Sequence, residues 1–348
     1  MNLYESKTYL NDLREAIDAS VGIDNLKNTR VLVTGATGTI GSFIVDMLLE
    51  YNKSGANIEV FAAGRSIDRL KRRFEFAKTD QLVYVQYDMS CAVTLDMFVD
   101  YVIHAAGNAH PVAFNSDPVG TIVENVNGTY ALLEYSRKHG AKRFCYISSG
   151  EVYGQGDLTL DSFKEEYSGY LNLLSPRSCY PMSKRATETL CVSYTKQYGL
   201  ETVIVRPCHT YGPGITESDS RANVQFICNV LNGEDIILKS AGTQMRSYCY
   251  VADCASAIIS CLIRGETAQA YNSANPNARI TIAGLAEVIA DCAGRKVVFE
   301  DPNAADIANQ TPIAKQVLNV EKLEALGWKG KYSVGKGIAH TLAILEGK

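Results

Sequence analysis

The chain has 348 residues, 46% hydrophobic and 21% charged, and its formal net charge is −4. That is enough apolar material for a large two-lobed protein, and the negative balance excludes a surface that attracts nucleic acid or anionic membrane as a whole. No apolar run reaches membrane-spanning length, and the polar opening Met1-Asn2-Leu3-Tyr4-Glu5-Ser6-Lys7 does not read as a signal peptide, so the cytoplasm is the expected compartment.

Residues 1–29 read as a helical N-terminal segment, with Leu10, Leu13 and Ile17 at helical spacing between polar positions. The β-branched run from Thr29 then leads into Gly35-Ala36-Thr37-Gly38-Thr39-Ile40-Gly41 and an apolar helix pattern, Phe43, Ile44, Met47, Leu48. This is strand, phosphate loop, helix. Gly35 allows the tight turn, Gly38 lets a pyrophosphate approach the backbone, and Gly41 lets the helix pack on the sheet. The helix N-terminus supplies amides for the anion.

A second strand is expected over 58–64, and the residue after it is Arg65, followed by Ser66. An acid at that point holds the ribose diol of NAD, whereas an arginine suits the 2′-phosphate of NADP. The basic run Arg69, Lys71, Arg72, Arg73 that follows reads equally as a solvated helix face. Further strands at 82–87, 101–107, 143–148 and 202–206 alternate with helical patterns. The fold class is therefore α/β, a doubly wound parallel sheet of Rossmann type over 30–206. A smaller, less regular substrate-binding lobe over 207–348 returns in part to the first. Ligands sit at the carboxyl ends of such strands, which here carry Gly35, Arg65, Asp88, Gly107, Ser149 and His209. The ten cysteines lie among apolar neighbours without a Cys-x-x-Cys pair, which points to buried free thiols and no metal site.

Tyr180-Pro181-Met182-Ser183-Lys184 puts a phenol and an amine four residues apart, on one face if helical. A nearby ammonium together with an oxidised nicotinamide favours the phenolate and makes Tyr180 a usable base. Upstream stands Ile147-Ser148-Ser149-Gly150-Glu151-Val152-Tyr153-Gly154 at a strand end. With the three glycines, these ordered motifs resemble the extended short-chain dehydrogenase/reductases, in their nucleotide-sugar epimerase/dehydratase branch. Asn125-Val126-Asn127-Gly128-Thr129, Arg206-Pro207-Cys208-His209-Thr210-Tyr211-Gly212-Pro213 and Arg246-Ser247-Tyr248-Cys249-Tyr250 extend the resemblance toward the C-terminal end.

The resemblance implies a catalytic set of Ser149, Glu151, Tyr180 and Lys184. It places NADP or NAD, with NADP favoured by Arg65, on Gly35, Thr37, Gly38, Thr39, Ile40, Gly41, Arg65, Ser66, Asp88, Met89, Ala105, Ala106, Gly107, Asn125, Ser148, Tyr180, Lys184 and Pro207. Ser149, His209 and Arg246 would meet a nucleotide-diphosphate sugar that reacts through a 4-keto intermediate. Gly150 stands where 4,6-dehydratases carry an acid, which disfavours loss of water. Glu151, Arg177-Ser178-Cys179-Tyr180 and Gln244-Met245-Arg246-Ser247 are similar to UDP-glucuronate decarboxylases, so decarboxylation or 4-epimerisation is expected. Glu151 reads equally as catalytic or structural, and His209, in place of the usual asparagine, as a ligand contact or a backbone-bonded core residue. Two alternatives stand beside this: an NADPH-dependent reductase of a 4-keto sugar, and a non-catalytic NADP-binding scaffold. Similar enzymes form homodimers through two long helices, expected here over 119–139 and 181–198.

Overall fold

The computed structural model describes residues 2–347 except 92, 94, 108, 110, 217, 218 and 303–312, and at 111–113 it describes the backbone alone. Six strands follow the expected order: β1 (Arg30–Thr34), β2 (Glu59–Gly64), β3 (Leu82–Gln86), β4 (Tyr101–His104), β5 (Arg143–Ile147) and β6 (Thr202–Pro207). A seventh, β10 (Gln269–Ser273), joins from the later part of the chain, and the sheet order is β10-β6-β5-β4-β1-β2-β3, parallel throughout.

Both faces of the sheet are covered, so its strands are apolar at successive positions. Val31 and Val33 of β1, Cys145 of β5 and Val203 and Val205 of β6 face one core, with Phe43, Ile44 and Met47 of α2 (Thr39–Asn52) and Ile258 and Cys261 of α8 (Val251–Arg264). Leu32, Phe144, Tyr146 and Ile204, one position out of step, face the other. There they meet Leu132 and Leu133 of α5 (Pro118–Lys138) and Cys191 and Tyr194 of α6 (Cys179–Tyr198).

Beyond β6 the elements shorten. β7 (His209–Tyr211) and β13 (Lys315–Gln316) lie parallel to β9 (Met245–Tyr250), and β11 (Arg279–Thr281) antiparallel to it, while β8 (Ile236–Leu238) pairs with β12 (Val297–Phe299). Trp328 is fully buried under this part, its indole donating to Ser256.

The N-terminal helix α1 (Lys7–Ala19) starts at Ser6, whose hydroxyl accepts from the Tyr9 amide. Leu13 is buried, with Leu10 and Ile17 half-buried against the same core. Two buried carboxylates fix it. Asp46 of α2 accepts from the Tyr4 and Tyr9 phenols and from Arg73 at the end of α3 (Ile67–Arg73). Asp12 accepts from the Tyr250 and Tyr332 phenols and bonds His340 of the last helix (Val334–Leu345).

All ten cysteines are free thiols, but the expectation that they are buried fails at Cys91 and Cys292, which are exposed, and at Cys228, which is half-buried. Among the described residues no helix is long and apolar enough to cross a membrane, and no cluster of side chains could hold a metal ion.

Candidate active site

The turn after β1 is built around close backbone approach. Gly35 has φ +66°, and a Cβ there would stand 2.6 Å from the Ala105 carbonyl oxygen; one on Gly41 would stand 2.3 Å from the Gly35 oxygen. No side chain caps the start of α2, whose N-cap is Gly38, so its amides remain open to an anion. The result is a cleft of about 210 Å³ lined by Gly35, Thr37, Gly38, Arg65, Ser66, Asp88, Met89, Ala105, Ala106 and Gly107. Arg69, which the sequence left equally as a contact or a solvated position, also lines it, as do Gly64, Tyr87, Glu124 and Thr216, which the sequence had not singled out as ligands. Such a backbone cradle, which a Cβ on Gly35 or Gly41 would close, fits a dinucleotide.

At the end of β2 no acid faces the cleft. Arg65 and Arg69 are both exposed there. Asp88, at the end of β3, is held below the usual carboxylate range by the Ser90 amide and hydroxyl, with Arg65 adding to the effect.

Other expected contacts lie behind the cleft. The Thr39 hydroxyl donates to the Gly214 carbonyl, Ile40 packs on the core, and Pro207 is the buried last residue of β6. Asn125 is buried and donates to Thr121 and Ser183. The Ser148 hydroxyl donates to Glu188 inside the sheet–helix junction, where Arg206 also binds, so any contact of Ser148 with the cleft falls to its backbone.

Gly107 links the cleft to the side chains expected to be catalytic, since a Cβ on it would lie 3.0 Å from Asn125 Oδ1 and 3.9 Å from Lys184 Nζ. Lys184 and Tyr180 share one face of α6, as their spacing requires. Both are buried, at 4% exposure. Lys184 Nζ donates to the Ile147 carbonyl at 2.8 Å and lies 5.8 Å from the centre of the Tyr180 ring. Burial lowers the ammonium to about 8 and raises the phenol to about 12, against which a Ser149 hydrogen bond pulls it down. In the protein alone burial outweighs the favourable contacts at the phenol, and the expected activation counts on the charge of an oxidised nicotinamide beside that of Lys184.

Phe114, on α4 (Pro111–Ser116), covers Tyr180, the two rings stacked at 4.4 Å and 19°. Arg177 lies 4.6 Å over Phe114 and its Nη2 donates to both Glu151 oxygens, at 2.9 and 3.0 Å. Ser149 Oγ accepts from the Glu151 amide.

On β9, the buried Arg246 donates to the Met245 and Ile313 carbonyls, and burial lowers its pKa. His209 packs on Tyr248 at 5.5 Å, and burial together with Arg246 and Arg221 pushes it down to about 3, so the ring is neutral. Its Nδ1 is buried without a partner among the described residues. Arg221, which acts on both His209 and Tyr180, was not foreseen. It stands just ahead of α7 (Ala222–Leu231) and donates to Asp219 and to the Thr210 carbonyl. The only sequence signal was a polar Asp219-Ser220-Arg221 turn beyond Pro213.

Comparison with known proteins agrees with this layout. A sequence profile of the NAD dependent epimerase/dehydratase family matches residues 31–274. UDP-glucuronic acid decarboxylase 6 of Arabidopsis thaliana is 33% identical over 320 residues, 89% of this chain and 87% of that protein. The dTDP-glucose 4,6-dehydratase DesIV of Streptomyces venezuelae, solved with NAD and TYD bound, superposes with a TM-score of 0.77 at 25% identity, covering 92% of this chain and 97% of its own. UDP-glucose 4-epimerase of Thermus thermophilus, in complex with NAD, gives 0.74 at 26% identity, over 91% and 99%. A glycine cradle at the switch of the sheet, a Tyr-x-x-x-Lys helix beside it and a profile that spans both make the chain an enzyme of the NAD-dependent epimerase/dehydratase family.

Proposed function

We propose that the protein converts a nucleotide-diphosphate sugar through a 4-keto intermediate, with decarboxylation of a UDP-glucuronate-type substrate ahead of 4-epimerisation. The observation that carries this is the grouping of Tyr180, Ser149 and Lys184 behind Gly107, at the edge of the glycine-lined cleft. A nicotinamide bound there would supply hydride acceptance and return at C4. Tyr180 would take the proton of the 4-hydroxyl, Ser149 would hold the same oxygen, and Lys184 would keep positive charge behind the phenol. Arg246 and Arg221 would face the diphosphate. Once C4 is a ketone, a C6 carboxylate is β to it and can leave as carbon dioxide.

Dehydration is disfavoured because Gly150 has no side chain and so offers no proton donor to a leaving hydroxyl at that position. The decarboxylase names among the relatives support the same choice. Incubation with UDP-glucuronate, UDP-galactose and their CDP, dTDP and GDP counterparts, followed by proton NMR of the sugar, tests it. Loss of the C6 carbon from a glucuronate is expected, and no change in any sugar overturns the reading.

Arg65 just beyond β2 and Arg69 on α3 favour NADP as the dinucleotide, since Arg65 stands where an acid would hold the ribose diol of NAD. The same arginines favour the second reading, a reductase that spends NADPH on a 4-keto sugar. Stoichiometric loss of absorbance at about 340 nm separates the two, because a recycled cofactor shows none.

A homodimer in the cytoplasm completes the proposal. Val119, Ile122, Val123 and Tyr130 of α5 and Val192 and Tyr198 of α6 are exposed on the paired long helices. Light scattering that gives a monomer mass would remove it.

A further inference from the structure

The ammonium of Lys184 is nearer to the ring of Tyr146 than to that of Tyr180: Nζ lies 4.7 Å from the centre of the first and 5.8 Å from that of the second. Tyr146 is buried on β5, on the face of the sheet that α5 and α6 cover. Its neighbours in register are His104 on β4 and Ile204 on β6. A ring packed in the middle of a covered parallel sheet has no room to turn, and the His104 ring stands 5.9 Å away on one side.

His104 is itself fixed. Its Nδ1 and Nε2 lie 2.7 and 3.0 Å from the Thr34 and Thr129 hydroxyls, and burial together with Lys184 pushes it down to about 3. It therefore stays neutral and does not compete with Lys184 for the ring. The ammonium has three protons to place, and one goes to the Ile147 carbonyl at 2.8 Å. The electron-rich face of Tyr146 meets the same buried cation, which an aliphatic side chain at this strand position could not do. Among the described residues, the titratable groups around the amine are Tyr180, Glu188 and Cys191 on α6, Tyr146 on β5 and His104 on β4, with Arg206 of β6 paired to Glu188.

We propose that Tyr146 is a positioning residue whose ring face holds the Lys184 ammonium in place behind the Tyr180 phenol. The use made of Lys184 in turnover rests on the nucleotide-sugar reading above; the pairing of ring and ammonium does not. Without an electron-rich face beside it, the desolvated cation has one favourable partner fewer. The amine then gives up its proton at lower pH, and the phenol loses the charge behind it sooner.

The test separates the shape of the ring from its electron density. Tyr146→Phe keeps both, a trifluorinated phenylalanine at the same position keeps the shape and empties the face of negative charge, and Tyr146→Leu removes the ring. Carbon NMR of protein labelled at lysine Cε follows Lys184 directly, its signal assigned by its loss in Lys184→Met. The signal is expected to titrate at about pH 8 in the native chain and close to that in Tyr146→Phe. In the trifluorinated and Tyr146→Leu proteins it is expected about 0.5 to 1.5 pH units lower, and the trifluorinated protein keeps the test open if Tyr146→Leu fails to fold. Equal titration of the Tyr146→Phe and trifluorinated proteins overturns the proposal. With a nucleotide sugar that the native chain turns over, the alkaline limb of turnover is expected to move by the same interval as the Lys184 signal. A limb that stays while the signal moves overturns the link from ring to phenol. Absence of turnover with every sugar overturns the proposed function alone, because the NMR titration needs no substrate.

Discussion

Lys184 and Tyr180 lie one helical turn apart, yet the ammonium is committed to the Ile147 carbonyl and stands 5.8 Å from the centre of the tyrosine ring. In the protein alone the phenol is therefore neutral at physiological pH, pushed up to about 12 by burial. Cofactor binding is expected to lower it, since the oxidised nicotinamide carries positive charge. Ultraviolet difference titration against Tyr180→Phe, with and without oxidised cofactor, checks this. The same variant is expected to lose about 10²- to 10⁴-fold in turnover with cofactor affinity unchanged.

Lys184 also makes a stability prediction. Its pKa falls from 10.5 to about 8 on folding, so between those values the unfolded chain binds more protons. Stability attributable to this group therefore rises with pH across that window. Compared with Lys184→Met, the native chain should gain on the order of 3 kcal/mol from about pH 8 to about pH 10.5, read from paired urea titrations. A flat difference would show that the ammonium is not desolvated.

Cofactor choice is expected to follow Arg65. Arg65→Asp should cost about 10- to 100-fold in NADP affinity and improve NAD, because a charge-assisted phosphate contact is replaced by a diol acceptor. Fluorescence titration with both dinucleotides reads the ratio, and an unchanged ratio removes the arginine from the adenosine site.

Gly35 and Gly140 have nearly the same backbone angle, φ +66° and +67°, but only Gly35 is crowded; nothing lies within 4 Å of a Cβ on Gly140. Gly140→Ala should cost about 1 kcal/mol of backbone strain. Gly35→Ala should cost more than that and abolish dinucleotide binding, since the new methyl meets the Ala105 backbone. Equal melting shifts for the two variants would mean that the loop relaxes freely.

Asp46 is expected to be the costliest carboxylate to remove. Asp46→Ala strands the Arg73 charge and the Tyr4 and Tyr9 phenols, a loss of about 3–5 kcal/mol in denaturant unfolding.

What could be read from the sequence was local. The strand–glycine–helix unit, the six strand positions and the two long helices each announce themselves within about twenty residues through periodicity and turn chemistry. Helix α1 was legible as amphipathic, but Asp12 and its partners Tyr250, Tyr332 and His340 are separated by most of the chain, and no spacing rule joins them. The candidate site divides the same way. Gly35, Tyr180 and Lys184 carry motifs, whereas Phe114, Arg177 and Arg221 acquire meaning only when α6 brings three turns together. The burial that sets the phenol so high is likewise a tertiary quantity, which the four-residue spacing of Tyr180 and Lys184 does not contain.

The strand supplied by Gln269–Ser273 closes the edge of β6, and it is made long after the rest of the sheet has left the ribosome. Until it arrives, the growing polypeptide presents a bare row of amides and carbonyls along Thr202–Pro207, a template for pairing with any extended neighbour. A fragment cut at residue 206 is accordingly an aggregation hazard and not an autonomous nucleotide-binding module, and translation must outrun that stickiness for the enzyme to mature.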